Sequence, residues 1–170
     1  EHLYELKSLK LAELEGGATE YAAVFVLGPQ SAMEEEALYG LDQFLMSGRP
    51  AVVLADTHRV DLQTFFSTPL TTALDPLLSH YGLGLKRNVT LDLQCQKMSV
   101  SQQQGWISIT NIIDYPPFVL TTDLSKDHPV TRDLDSLTLP FASPLEVSTR
   151  AASAKVEVLA RSSNLSWHSR

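Results

Sequence analysis

Asp56, Thr57 and His58 follow directly on the apolar run Ala51–Ala55. A carboxylate two residues from an imidazole can share a proton or help hold a metal ion. In an open α/β sheet, ligands gather outside the carboxyl ends of the strands, so a site is sought here first. No H-E-x-x-H and no second His pair completes a metal shell. The competing reading is a loop in which Asp56 caps backbone amides. Gly28-Pro29-Gln30-Ser31 ends an earlier apolar run and leads into a helical pattern, a place where amides can meet an anion. Neither G-x-G-x-x-G nor G-x-x-x-x-G-K-[ST] is present, Pro29 has no N–H, and Glu34, Glu35 and Glu36 would repel phosphate. A structural turn is expected there. Gly28, Gln30, Asp56, Thr57 and His58 are therefore the candidate lining of a cleft for a ligand or partner. No residue is put forward as catalytic or as a metal ligand, and no cofactor is expected.

Cys95 is the single cysteine, and five histidines are available to activate it. A nucleophilic elbow wants small neighbours and a following helix, whereas Cys95 sits in Leu93-Gln94-Cys95-Gln96-Lys97 with bulky polar neighbours. A buried, inert thiol at a strand end is expected. No G-x-S-x-G supplies a serine nucleophile. His80 reads as a last-turn helix residue and His128 as a turn residue before Pro129. Asn88-Val89-Thr90 and Asn164-Leu165-Ser166 fit the glycosylation triplet, a pattern frequent by chance. Trp106, Tyr115 and Phe118 suit either a sugar-stacking platform or packing at a sheet edge.

These residues need elements to position them. Tyr21–Leu27 is a continuous apolar run, read as a strand buried on both faces in a parallel sheet. Ser31-Ala32-Met33-Glu34 reads as a capping box, and Ala37, Leu38, Leu41, Phe44 and Leu45 follow at helical spacing. Gly48 and Pro50 stop that helix, and Ala51–Ala55 is a second buried strand. The result is a βαβ unit. Leu3–Leu14 is either helix or strand-plus-turn, ended by Gly16-Gly17. Leu74–Gly82 reads as a short helix with Pro76 in its first turn, and Val89, Leu91 and Leu93 alternate as in a half-buried strand. Ser99–Gly105 is expected to be a Gln-rich loop, Trp106–Ile109 an edge strand, and Tyr115-Pro116-Pro117-Phe118 a break. Asp127–Asp133 reads as a turn, Leu137–Leu139 as a short strand and Val156–Ala160 as the last strand.

Composition bounds the function. The chain has 170 residues, with 13 Lys+Arg against 20 Asp+Glu, a formal charge of −7 that argues against a general nucleic-acid binder. One cysteine rules out an internal disulfide framework and Cys-rich metal sites. No apolar run approaches the ~20 residues needed to span a bilayer. The first residue is Glu1, which reads as a trimmed start with a membrane segment lying outside it.

Several stretches in order resemble a known family: Val26–Pro29, Leu41–Gly48, Leu74–Gly82, Leu91–Cys95, and His128–Thr131 with Leu139–Ser143. Together, over about Val24–Ser143, they are similar to the auxiliary extracytoplasmic component of uncharacterised ABC-type transport systems, a group that includes gliding-motility-associated proteins. The resemblance implies an α/β fold, flavodoxin-like or class I glutamine-amidotransferase-like, a three-layer sandwich with a mostly parallel sheet and no catalytic elbow. It implies one domain over residues 1–170, a piece of a longer protein anchored to the inner membrane on its periplasmic face. Its implied partners are the permease and ATPase subunits, with a small-molecule or glycan ligand as a further expectation. The expected function is non-catalytic ligand binding or interaction. The alternatives are a hydrolase or amidotransferase relative using His58 with Asp56, and a carbohydrate-binding domain.

Overall fold

The computed structural model describes residues 4–14, 20–61, 63–64, 66–104, 106–148 and 155–169. Its first strands are β1 (Val24–Leu27), β2 (Ala51–Leu54), β3 (His58–Val60), β4 (Ser67–Pro69), β5 (Leu83–Leu85) and β6 (Thr90–Asp92). Two long strands follow, β7 (Cys95–Gln104) and β8 (Ile107–Thr121). The remainder are β9 (Asp123–Leu124), β10 (Leu137–Pro140), β11 (Leu145–Val147), β12 (Ala160–Arg161) and β13 (Ser166–His168). The helices are α1 (Glu35–Met46) and α2 (Asp75–His80), preceded by a 3-10 turn at Leu11–Leu14.

The βαβ unit forms as its apolar periodicity predicts. β1 and β2 pair in parallel, Val24 opposite Ala51 through Leu27 opposite Leu54, with α1 between them in sequence. Leu41 and Phe44 of α1 are fully buried with Leu14, Val24, Val26 and Leu74. Gly48 ends α1 at φ +81, a left-handed conformation that a side chain disfavours. Gly40 has a different task. A Cβ there would lie 2.1 Å from the Leu11 carbonyl oxygen, so only glycine lets the 3-10 turn lie against α1. The capping box does not form: α1 begins at Glu35, and Glu34 at the N-cap position makes no side-chain cap. Ser31 lies too far upstream to reach the first free amides. Gly16-Gly17 lies outside the described residues.

The expected mostly parallel three-layer sandwich is not the fold. Apart from β1–β2, every strand pairs antiparallel: β3–β4, β5–β11, β6–β13, β9–β12 and the three-stranded β10–β8–β7. The physical reason is visible in β1 and β2, which bury one face only. Phe25, Leu27, Val52 and Leu54 face outward, with Leu27 64% exposed. No further strand extends the parallel pair among the described residues.

Three local expectations are also corrected. Ser99–Gln104 is the outer part of β7, and the expected edge strand at 106–109 is the start of the fifteen-residue β8. Tyr115-Pro116-Pro117-Phe118 does not break the chain. The register jumps from Lys97↔Asp114 to Cys95↔Val119, so the prolines fall in a bulge where the ladder asks for no N–H. There Tyr115, Phe118 and Phe141 meet edge-to-face, with centroids 5.1–6.2 Å apart. In the Val156–Ala160 stretch only Ala160 is in a strand, and β13 follows it in the chain. The helix at α2, ended by Gly82 at φ +83, the turn at 127–133 and the short strand β10 agree with the sequence.

Candidate functional site

The carboxyl ends of β1 and β2 bring the candidate residues into one neighbourhood. Gly28, at φ +53, donates its amide to the Leu54 carbonyl at 2.8 Å, so the turn after β1 is tied to the end of β2. The Gln30 side-chain amide donates back to the Gly28 carbonyl at 3.0 Å. Arg59, on β3, then clasps Gln30: its Nε donates to Oε1 at 3.0 Å and an Nη to the Gln30 carbonyl at 3.3 Å. Gln30 and Arg59 form an exposed polar lip above the strand ends. Arg59 follows His58 directly but is not one of the candidate lining residues, because nothing in its spacing reveals that it hydrogen-bonds back to Gln30.

Beneath the lip lies Thr57, almost completely buried. Its hydroxyl meets His58 Nδ1 at 3.0 Å and the hydroxyl of Ser143 in a short hydrogen bond. Ser143 arrives from the loop between β10 and β11, so this contact staples a distant segment to the end of β2. The Thr57 carbonyl accepts from the Leu70 amide at 2.8 Å, which adds the segment after β4 to the same knot. Ser143 belongs to a stretch that carried the family resemblance, yet no local pattern marks it as a partner of Thr57.

The acid–base reading does not assemble. Asp56 makes no hydrogen bond or ion pair with any described residue, and His58 is engaged by a hydroxyl instead. No group of three or more His, Cys, Asp or Glu side chains that could hold a metal occurs among the described residues. Cys95 is half-buried on β7, not buried as expected, and pairs with Val119 in the ladder. The sugar platform does not assemble either. Trp106 is wholly exposed at the tip of the β7–β8 hairpin, whereas Tyr115 and Phe118 turn edge-on to each other and to Phe141. Strand rise separates Trp106 from Tyr115 by roughly 30 Å.

Two further polar groups are set by structure. Asp92 is fully buried at the end of β6. Burial alone would raise its carboxyl, but the Ser163 hydroxyl and the amides of Gln94 and Ser163 outweigh burial and hold it below the usual value of 3.8. Tyr81, after α2, is pushed up to about 12 by burial and by donating its hydroxyl to Asp42 at 2.9 Å. Asn88 of the first glycosylation triplet spends its side-chain amide on the Ser169 carbonyl at 2.9 Å.

Residues 1–169 match the family described as ABC-type uncharacterized transport system. The chain belongs to this family. That makes it an auxiliary component of an ABC-type transport system. No curated protein and no solved structure gives a match. In this family member the described residues hold their one parallel strand pair, and the polar knot above it, within an otherwise antiparallel fold.

Proposed function

We propose that the chain is a non-catalytic interaction domain that offers the lip at the carboxyl ends of β1 and β2 to another component of its ABC-type transport system. The observation that carries this reading is the paired Gln30 and Arg59 side chains, exposed and held in place by two hydrogen bonds. A preorganised guanidinium beside backbone carbonyls is suited to a carboxylate or carbonyl on a partner surface. The hydroxyl knot beneath it, Thr57 with His58 and Ser143, acts as a support for the lip.

In the same reading, the domain works on the extracytoplasmic side of the inner membrane beside the permease and ATPase, and serves motility where the system does. Tethering through other segments of the protein is part of this proposal; among the described residues no helix is long and apolar enough to cross a membrane. The test is co-purification of the full-length protein with the permease and ATPase from detergent-solubilised membranes. Arg59→Glu is expected to lose the complex while the melting temperature of the isolated chain stays within a few degrees. Unchanged co-purification overturns the role of the lip. Turnover of ester or amide substrates that disappears in His58→Ala overturns the non-catalytic reading. Protease accessibility in spheroplasts against inverted vesicles checks the side of the membrane.

A further inference from the structure

Outside the lip, the least explained feature is the β7–β8 hairpin. β10 covers β8 only from Phe118 to Thr121, so beyond that point the hairpin is a two-stranded ribbon. The outer edge of β7 pairs with no described strand. Isolated two-stranded ribbons are marginal in water, and open edges are normally guarded by charge, proline or a bulge. Here Lys97 and the bulge beside it guard the inner end of β7, and the stretch beyond them carries no such guard. From Met98 to Ile113, sixteen residues contain no charged residue and no proline, in a chain with 33 charged residues in 170. Ile112 is 70% exposed on this ribbon.

We infer that the edge of β7 pairs with β7 of a second copy, in antiparallel register about a two-fold axis. Two observations select this occupant. The chain carries a net charge of −7, so two copies repel over most of their surfaces, and the neutral ribbon is where they approach without that penalty. The edge is also self-complementary. With Ser99 opposite Ser99 of the second copy, Met98 falls opposite Val100 of the second copy and Val100 opposite its Met98. Lys97 then faces Ser101 and not another Lys97. Directly opposed residues share a sheet face, so the two apolar pairs lie on one side and the serines on the other. The product is a four-stranded antiparallel sheet with an isologous interface. It leaves the lip at β1 and β2 uninvolved, so this inference stands apart from the transporter reading.

The experiment is the solution mass of the chain by light scattering and sedimentation from micromolar to sub-millimolar concentration. The wild type is expected at the mass of two chains, and Ser99→Lys and Ser99→Glu, each alone, at the mass of one. Mixing the two variants restores the two-chain mass, which a merely misfolded variant could not do. A second readout places Ser99→Cys in a Cys95→Ser background, where mild oxidation yields a disulfide-linked dimer. A one-chain mass for the wild type at every concentration overturns the inference, as does a dimer that Ser99→Lys leaves intact. Flotation of one-chain-mass protein with phospholipid vesicles, lost in Trp106→Ala, makes a membrane the occupant and overturns it too.

Discussion

Both carboxylate oxygens of Asp92 are used by Ser163: its hydroxyl donates to Oδ1 at 2.6 Å and its amide to Oδ2 at 2.7 Å. The pair ties the C-terminal segment, 71 residues away in sequence, onto the end of β6. Because Asp92 is fully buried, these bonds are made to a charge shielded from water. Hydrogen bonds to charged groups contribute about 1.5–3 kcal/mol each, so Asp92→Ala should cost roughly 3 kcal/mol in urea unfolding. The folded carboxyl lies below its ordinary value, so its stabilisation is complete above about pH 4 and is lost as pH falls through the folded value. Asp92→Asn removes that acid-dependent component. Its stability, measured by urea midpoints, should fall less steeply than the wild type's below pH 4.

The Tyr81–Asp42 hydrogen bond fastens the end of α2 to α1, and it predicts the opposite pH sensitivity. The folded phenol, near 12, titrates above its ordinary value of 10. Its contribution is therefore complete below pH 10 and lost between pH 10 and 12. Tyr81→Phe should lose about 1 kcal/mol at neutral pH. It should also lose the part of the alkaline decline in melting temperature that belongs to this residue. A phenolate absorbance titration in which every tyrosine ionises near 10 would refute the assignment.

Gly40 predicts a steric effect that helix propensity alone would get backwards. In an isolated helix alanine is favoured over glycine by about 1 kcal/mol. Here the added Cβ meets the Leu11 carbonyl at 2.1 Å, so the 3-10 turn must lift off α1 or the helix must shift. Overpacking of this kind costs about 1–3 kcal/mol, and Gly40→Ala should lower the urea midpoint. Gly48→Ala meets no atom within 4 Å and should cost only its positive φ.

The parts of this fold legible in the sequence are those whose signals are local. Leu41 and Phe44 at helical spacing, Pro76 in the first turn of α2, and Gly48 and Gly82 at helix ends announce α1 and α2. The continuous apolar runs of β1 and β2 announce a parallel pair but not its surroundings. A run such as Val24–Leu27 reads the same whether its second face is covered or, as here, open at Phe25 and Leu27. The ribbon was illegible for a different reason. Ser99, Ser101 and Gln103 look like loop because they line a solvent-facing side of β7, and Pro116 and Pro117 look like a break because their bulge is defined only by β7 across the ladder. In the candidate site, Gly28, Gln30, Thr57 and His58 do converge, since the turns after β1 and β2 are local features. The partners that give them order, Arg59 and Ser143, follow from tertiary pairing and leave no trace in spacing.

Thr57 offers the sharpest test of that convergence, because one oxygen links His58 to Ser143. Thr57→Val keeps the shape of the side chain and deletes the oxygen, leaving the Ser143 hydroxyl in a part-buried position without its partner. An unsatisfied buried polar group costs about 1–3 kcal/mol, so a loss of that size is expected in urea unfolding. Thr57→Ser restores the oxygen and should recover most of the loss. Double substitution with Ser143→Ala separates the hydrogen bond from packing. If the hydroxyls act as a unit, the cost of Thr57→Val shrinks to a few tenths of a kcal/mol in the Ser143→Ala background. If instead the costs add, the contact is incidental, and the knot is not what holds the lip of Gln30 and Arg59 in place.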